Sequence, residues 1–120
     1  GDVIYASTKA ALHRLTQGVA AEVLDDNIAV NCVAPSTAVR TPGAASLIPD
    51  SFPTEPVEYL AETVLAMCHL PAADRTGLVA FGVHFPWSQN LQVYSLDGKA
   101  ALPALAPPAH ANPNIRPSGL

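Results

Sequence analysis

Residues 28–35 read IAVNCVAP, and this stretch sets the fold class. Its first seven residues are nearly all apolar and partly β-branched, and Pro35 ends the run because proline has no N–H to extend a ladder. A short, continuous apolar run bounded in this way predicts a buried central strand of a parallel sheet. Just upstream, Ala6, Ala10, Ala11, Leu15, Val19 and Val23 recur at steps of mostly three and four, which predicts a helix over 6–24 buried on most sides. Asp25 and Asp26 form its solvated end, and Asn27 is expected in the left-handed conformation that closes a helix. A helix feeding a buried strand is half of a βαβ unit, so the class is α/β.

Downstream, residues 36–56 are a long, turn-rich stretch. Thr41 followed by Pro42 predicts a capped short helix over 42–47. A second helix is expected over 56–70, with Val57, Leu60, Ala61, Val64, Leu65 and Cys68 as its apolar stripe. A turn follows at 74–77, then a second buried strand in LVAFGVHF at 78–85. LQVYSLDGK at 91–99 predicts one more short strand, ended by the Asp97-Gly98 turn. The Pro/Ala-rich remainder has few groups able to fill a core. The expected organisation is therefore one domain over 1–99 and an extended or disordered tail over 100–120.

Composition narrows the function. The 120 residues are 49% hydrophobic and 13% charged with net charge −4, so they lack the basic footprint that nucleic acid or an anionic membrane would need. No run reaches the roughly 18 apolar residues of a membrane span. Cys32 and Cys68 lie among apolar residues without CxxC spacing, which predicts buried thiols in a reducing, cytoplasmic setting. The four histidines have no ligand spacing, so no metal site is expected, and no Gly-x-Ser-x-Gly elbow is present. Trp87 is expected to pack or to line a pocket.

The chemistry-bearing feature is Tyr5 with Lys9, four residues apart and so on one helix face. A neighbouring ammonium favours a phenolate, which is how a tyrosine is recruited for proton transfer. Spacing alone leaves an ordinary surface pair as the commoner reading. The setting is more specific. YASTKAAL, an apolar helix, then NIAVNCVAPSTAVRTPG resembles the short-chain dehydrogenase/reductase family, whose active-site segment has Tyr, three residues, then Lys. Some twenty residues on, such proteins have a buried Val-Asn strand running into Pro-Gly, which Val30-Asn31 and Pro35-Ser36 match here. The resemblance covers about residues 1–84.

That resemblance implies the C-terminal part of a Rossmann-type, doubly wound parallel sheet, and an oxidoreductase that interconverts a carbonyl and an alcohol with NAD or NADP. Tyr5 would exchange the proton with the substrate oxygen. Lys9 would assist it and hold the nicotinamide ribose. Pro35, Ser36, Val39 and Thr41 would lie along the cofactor, with residues 42–56 as a substrate lid and the helices as dimer or tetramer surfaces. Ser36 stands where Gly is commonest in that family, and Val39 falls one position late. The Gly-rich dinucleotide turn and a catalytic Ser are absent from these residues and are expected upstream of Gly1, which makes this an incomplete chain, inactive alone. The alternative is a truncated, non-catalytic product acting only in self-association or binding.

Overall fold

The computed structural model describes residues 3–108. In chain order they form helix α1 (Val3–Glu22), a 3-10 turn (Leu24–Asp26), strand β1 (Cys32–Ala34), helix α2 (Val57–Met67), strand β2 (Val79–Phe81) and helix α3 (His84–Gln89). β1 and β2 pair in parallel, with Cys32 opposite Val79, Val33 opposite Ala80 and Ala34 opposite Phe81. With α2 between them in the chain, they are a βαβ unit, and the class is α/β as expected. Parallel strands need such a crossover because a tight turn cannot reverse the chain twice.

Asn27 closes the first helical segment at φ 59°, as its residue type predicts. The strand after it is shorter than the apolar run. Residues 30 and 31 are tied to the second half of the chain without entering the ladder. Thr76 Oγ1 accepts the Val30 N–H at 3.0 Å, and the Val30 carbonyl accepts the Gly77 N–H at 2.9 Å. Gly77 sits at φ +72°, where a side chain is strained, and a Cβ there would stand 3.6 Å from Ala20 of α1. Asn31 completes the seam: its Oδ1 accepts the Leu78 N–H at 3.1 Å and its Nδ2 donates to the Arg75 carbonyl at 3.1 Å. Arg75 in turn donates to the Ala66 carbonyl at 2.7 Å near the end of α2 and lies over the Phe85 ring.

Two small apolar clusters make the core. Ala66, Met67, Ala80 and Phe85 pack with Val33, Leu78 and Leu91, while Tyr59, Val83 and Val93 pack with Leu102. The buried face of α2 is Tyr59, Thr63, Ala66 and Met67, not the stripe expected from hydropathy; Val64 and Leu65 point outward. Local partners explain the exchange. Tyr59 Oη donates to the Pro103 carbonyl at 2.6 Å, and Thr63 Oγ1 lies within hydrogen-bonding distance of the Tyr59 and Gly82 carbonyls. Hydroxyls satisfied in this way can be buried at little cost.

Five further expectations change. The second strand stops at Phe81 and the chain turns into α3, where Pro86 at the third helical position gives up no helical hydrogen bond. α1 buries only Thr16 and Ala20, because a two-stranded sheet offers little surface to cover a helix of 20 residues. Cys68 is exposed and Cys32 half-buried, so neither thiol is sequestered. Residues 42–47 form turns in place of a helix, although Thr41 Oγ1 does accept the Ala44 N–H. The strand expected at 91–99 is reduced to one bridge, Tyr94 with Ala101, closed around Gly98 at φ +71°.

Of the expected tail, residues 100–108 are described, and its beginning is tied down: the Leu102 N–H donates to the Val93 carbonyl at 2.8 Å. The rest of the tail lies outside the described residues. Among the described residues no helix is long and apolar enough to cross a membrane.

Asn31→Leu keeps the size of the side chain but leaves the Leu78 N–H without its acceptor. Urea denaturation should show a loss of about 1–3 kcal/mol, the cost of a stranded backbone donor. A change below a few tenths would mean that the seam does not depend on this amide.

Candidate functional site

α1 places Tyr5, Lys9, Leu12 and His13 along one face, at steps of four, three and one. That face looks onto β1 and the residues after it. Tyr5, Lys9, Leu12 and His13 form one wall of a cavity of about 360 Å3, and Cys32, Val33, Ala34, Pro35, Thr37 and Phe81 form the other. The floor is apolar and the polar groups stand at the rim. Tyr5 is 60% exposed. The Lys9 ammonium lies 5.2 Å from the centroid of the Tyr5 ring, over its face, where the ring's negative charge attracts a cation. His13 meets the Phe81 ring edge-on at 6.1 Å.

The hydroxyls between Tyr5 and Lys9 are used locally. Ser7 Oγ donates to the Val3 carbonyl at 2.8 Å, and Thr8 Oγ1 donates to the Tyr5 carbonyl at 2.7 Å. Neither belongs to the cavity wall.

Of the residues expected to meet a cofactor, the structure brings Tyr5, Lys9 and Pro35 to the cavity and sends three elsewhere. Ser36 turns away and accepts the Val83 N–H at 3.0 Å. Val39 bridges in parallel to Glu55. Thr41 caps the turn that follows it. Arg40 is held within the loop, donating to the Ala45 and Pro49 carbonyls and pairing with Asp50 at 3.5 Å. It is therefore engaged by residues 45–50 and does not line the cavity.

Glu55 escaped sequence reasoning, and Thr37 was not singled out within the 35–41 stretch expected along the cofactor. Thr37 lines the cavity, and Glu55 braces it from behind: Glu55 Oε2 accepts the Thr37 N–H at 3.0 Å, while the Glu55 N–H donates to the Ala38 carbonyl at 2.8 Å. Glu55 is buried, and its Oε1 has no hydrogen-bond partner among the described residues. That oxygen lies against Gly82, where a Cβ would collide with it. Burial pushes the Glu55 carboxyl above its ordinary range, opposed by hydrogen bonds from Ser36 and Thr37. In the sequence, Glu55 before Pro56 resembles a solvated acid at a helix start, and nothing in its spacing signals burial. His84 was similarly unmarked; burial holds its imidazole below the usual range.

Comparison with known proteins agrees with the motif reading. Residues 1–51 match the family model described as short chain dehydrogenase, which covers α1, β1 and the loop beyond it. Over these residues the chain is similar to short-chain dehydrogenases. It is similar to the Oxidoreductase UcpA of Escherichia coli K12, 40% identical over 74 residues that make up 62% of this chain and 28% of that protein. The Oxidoreductase UcpA of Salmonella typhimurium is 39% identical over 67 residues, 56% of this chain and 25% of that protein. The chain thus aligns with little more than a quarter of the length of these curated relatives. No solved structure gives a significant match.

The buried carboxyl predicts a pH dependence of stability. Because the folded state holds the Glu55 proton more tightly than the unfolded chain, its stabilising contribution is full below the unfolded value of 4.5 and declines as pH rises through the higher folded value. Melting curves between pH 4 and 8 should show this decline, and Glu55→Gln should flatten it. An unchanged slope in the variant would place the titration elsewhere.

Proposed function

We propose that these residues are the C-terminal portion of an NAD(P)-dependent oxidoreductase that interconverts a carbonyl and an alcohol. The observation that carries this reading is the convergence on one cavity of Tyr5 and Lys9 from α1 and Pro35 from the loop after β1, in a chain whose residues 1–51 match the short chain dehydrogenase model. The relatives' shared name, oxidoreductase, points the same way. The cavity suits the nicotinamide and ribose end of the cofactor: an apolar floor of Leu12, Val33 and Phe81 for a planar ring, with a phenol and an ammonium at the rim for hydroxyls. The remainder of the dinucleotide would be held by residues outside this stretch, since no Gly-rich turn is present to cradle a pyrophosphate.

When bound, the nicotinamide supplies or accepts the hydride. The chain's own part is proton transfer and positioning. Tyr5 Oη holds the proton that moves to or from the substrate oxygen. Lys9 carries the positive charge that stabilises a phenolate there and donates to ribose hydroxyls. Pro35 and Thr37 wall the cavity opposite Tyr5, while 42–56 closes over substrate. The small parallel sheet and the 28% coverage of the Escherichia coli relative support a larger natural domain. Its assembly as a dimer or tetramer and its cytoplasmic setting are part of the same proposal.

A second reading, a non-catalytic piece that acts by self-association or binding, draws on the exposed apolar residues of α1: Val3, Ile4, Leu12 and Leu15. The two readings separate on one residue. In the complete protein, Tyr5→Phe should lower carbonyl reduction at least about a hundredfold, the usual contribution of a general acid. Cofactor affinity should be nearly unchanged. Near-normal turnover in this variant would remove Tyr5 from the chemistry.

A further inference from the structure

Pro35 and Thr37 line the cavity, yet the residue between them faces the opposite way. Ser36 Oγ is within hydrogen-bonding reach of three groups on the far side of the sheet. The Val83 N–H donates to it at 3.0 Å, the His84 N–H at 3.4 Å, and His84 Nδ1 lies 2.8 Å away. A hydroxyl accepts two hydrogen bonds and donates one. With both acceptor positions taken by backbone N–H groups, its proton points at Nδ1. Nδ1 is then the acceptor, the ring is neutral, and its own proton resides on Nε2. Burial of the imidazole favours the same neutral form.

The arrangement is shared between two elements. α3 has no side-chain cap of its own, so Ser36 serves its first N–H groups from across the sheet. A glycine at this position would leave those donors unmet and remove one of the loop's two anchors, leaving the hold of Glu55 on Thr37. Phe81, packed edge-on against the His84 ring at 6.2 Å, is itself part of the cavity wall. Pro35 and Thr37 are the chain neighbours of Ser36, so what anchors its hydroxyl also restrains them.

We propose that His84 is a positioning residue, which through Ser36 fixes the Pro35–Thr37 wall against the nicotinamide nucleotide and so sets cofactor affinity without entering the chemical step. This rests on the reading that the wall meets that cofactor, and two separate measurements on the complete protein distinguish their failures. Titration of the wild type with NADH and NADPH tests the reading itself; absence of binding to both would overturn it and this proposal with it. Given binding, His84→Ala should raise the cofactor Kd and KM about five- to tenfold, the loss of one hydrogen-bonded brace, with kcat at saturating cofactor within about twofold.

His84→Asn, whose Oδ1 can accept the Ser36 proton in place of Nδ1, should recover most of that affinity. Wild-type affinity in His84→Ala, or a folded His84→Asn no better than the alanine, would overturn the proposal alone. Should His84→Ala fail to fold, the asparagine variant and the ring itself decide. Long-range 1H–15N correlation of the wild-type imidazole should show Nδ1 unprotonated at neutral pH, and a proton on Nδ1 would overturn the proposal.

Discussion

The parallel pairing of β1 with β2 is the constraint on which the remaining structure depends. The strands are only three residues each, too short to hold a crossover closed by ladder bonds alone. Side chains extend the closure at both ends. On one side Asn31 and Thr76 bind backbone groups across separations of 47 and 46 residues. On the other, Ser36 reaches Val83 over 47. Non-local closure of this kind costs chain entropy that must be met before any contact rewards it. Half-buried, paired amides and hydroxyls are therefore placed at the ends of the pairing, where fraying would begin.

The same closure builds the site. Once β1 and β2 are aligned, the residues following each strand emerge side by side. The loop at 35–39 is then gripped twice, by Ser36 from the start of α3 and by Glu55 from the start of α2. Gly82 lies between these grips, and its missing side chain is what allows the Glu55 carboxyl to approach. A buried acid with one oxygen unpaired among the described residues is a costly element, since the carboxylate form gives up hydration it does not recover. Holding a proton lowers that cost, which is the direction in which its titration is displaced.

Much of the fold was legible in the sequence. The apolar run ending at Pro35, the left-handed Asn27, the helix expected over 56–70 and the second apolar run all announce a βαβ unit through local rules of periodicity and capping. The Tyr5 and Lys9 pair was legible too, because four-residue spacing on a helix fixes a shared face. Less legible was which face of α2 is buried. Val64 and Leu65 are the more apolar residues, yet Tyr59 and Thr63 go inside because the Pro103 and Gly82 carbonyls are there to meet their hydroxyls. Helix α3 was hidden for a related reason, its first N–H groups being served by a residue in another part of the chain.

By itself, then, the sequence determined what depends on neighbours a few residues away: the α/β class, the order of helix and strand, the left-handed closure at Asn27, and a phenol and an ammonium on one turn. Tertiary structure alone decided what depends on partners tens of residues distant. It turned Ser36 away from the cavity and Thr37 toward it, buried Glu55 against Gly82, and set His84 beside a hydroxyl. The division follows the range of the forces involved. Periodicity and capping act within a turn or two of backbone and leave a readable pattern, whereas the pairing of a buried polar group depends on which distant atom the closed fold delivers to it.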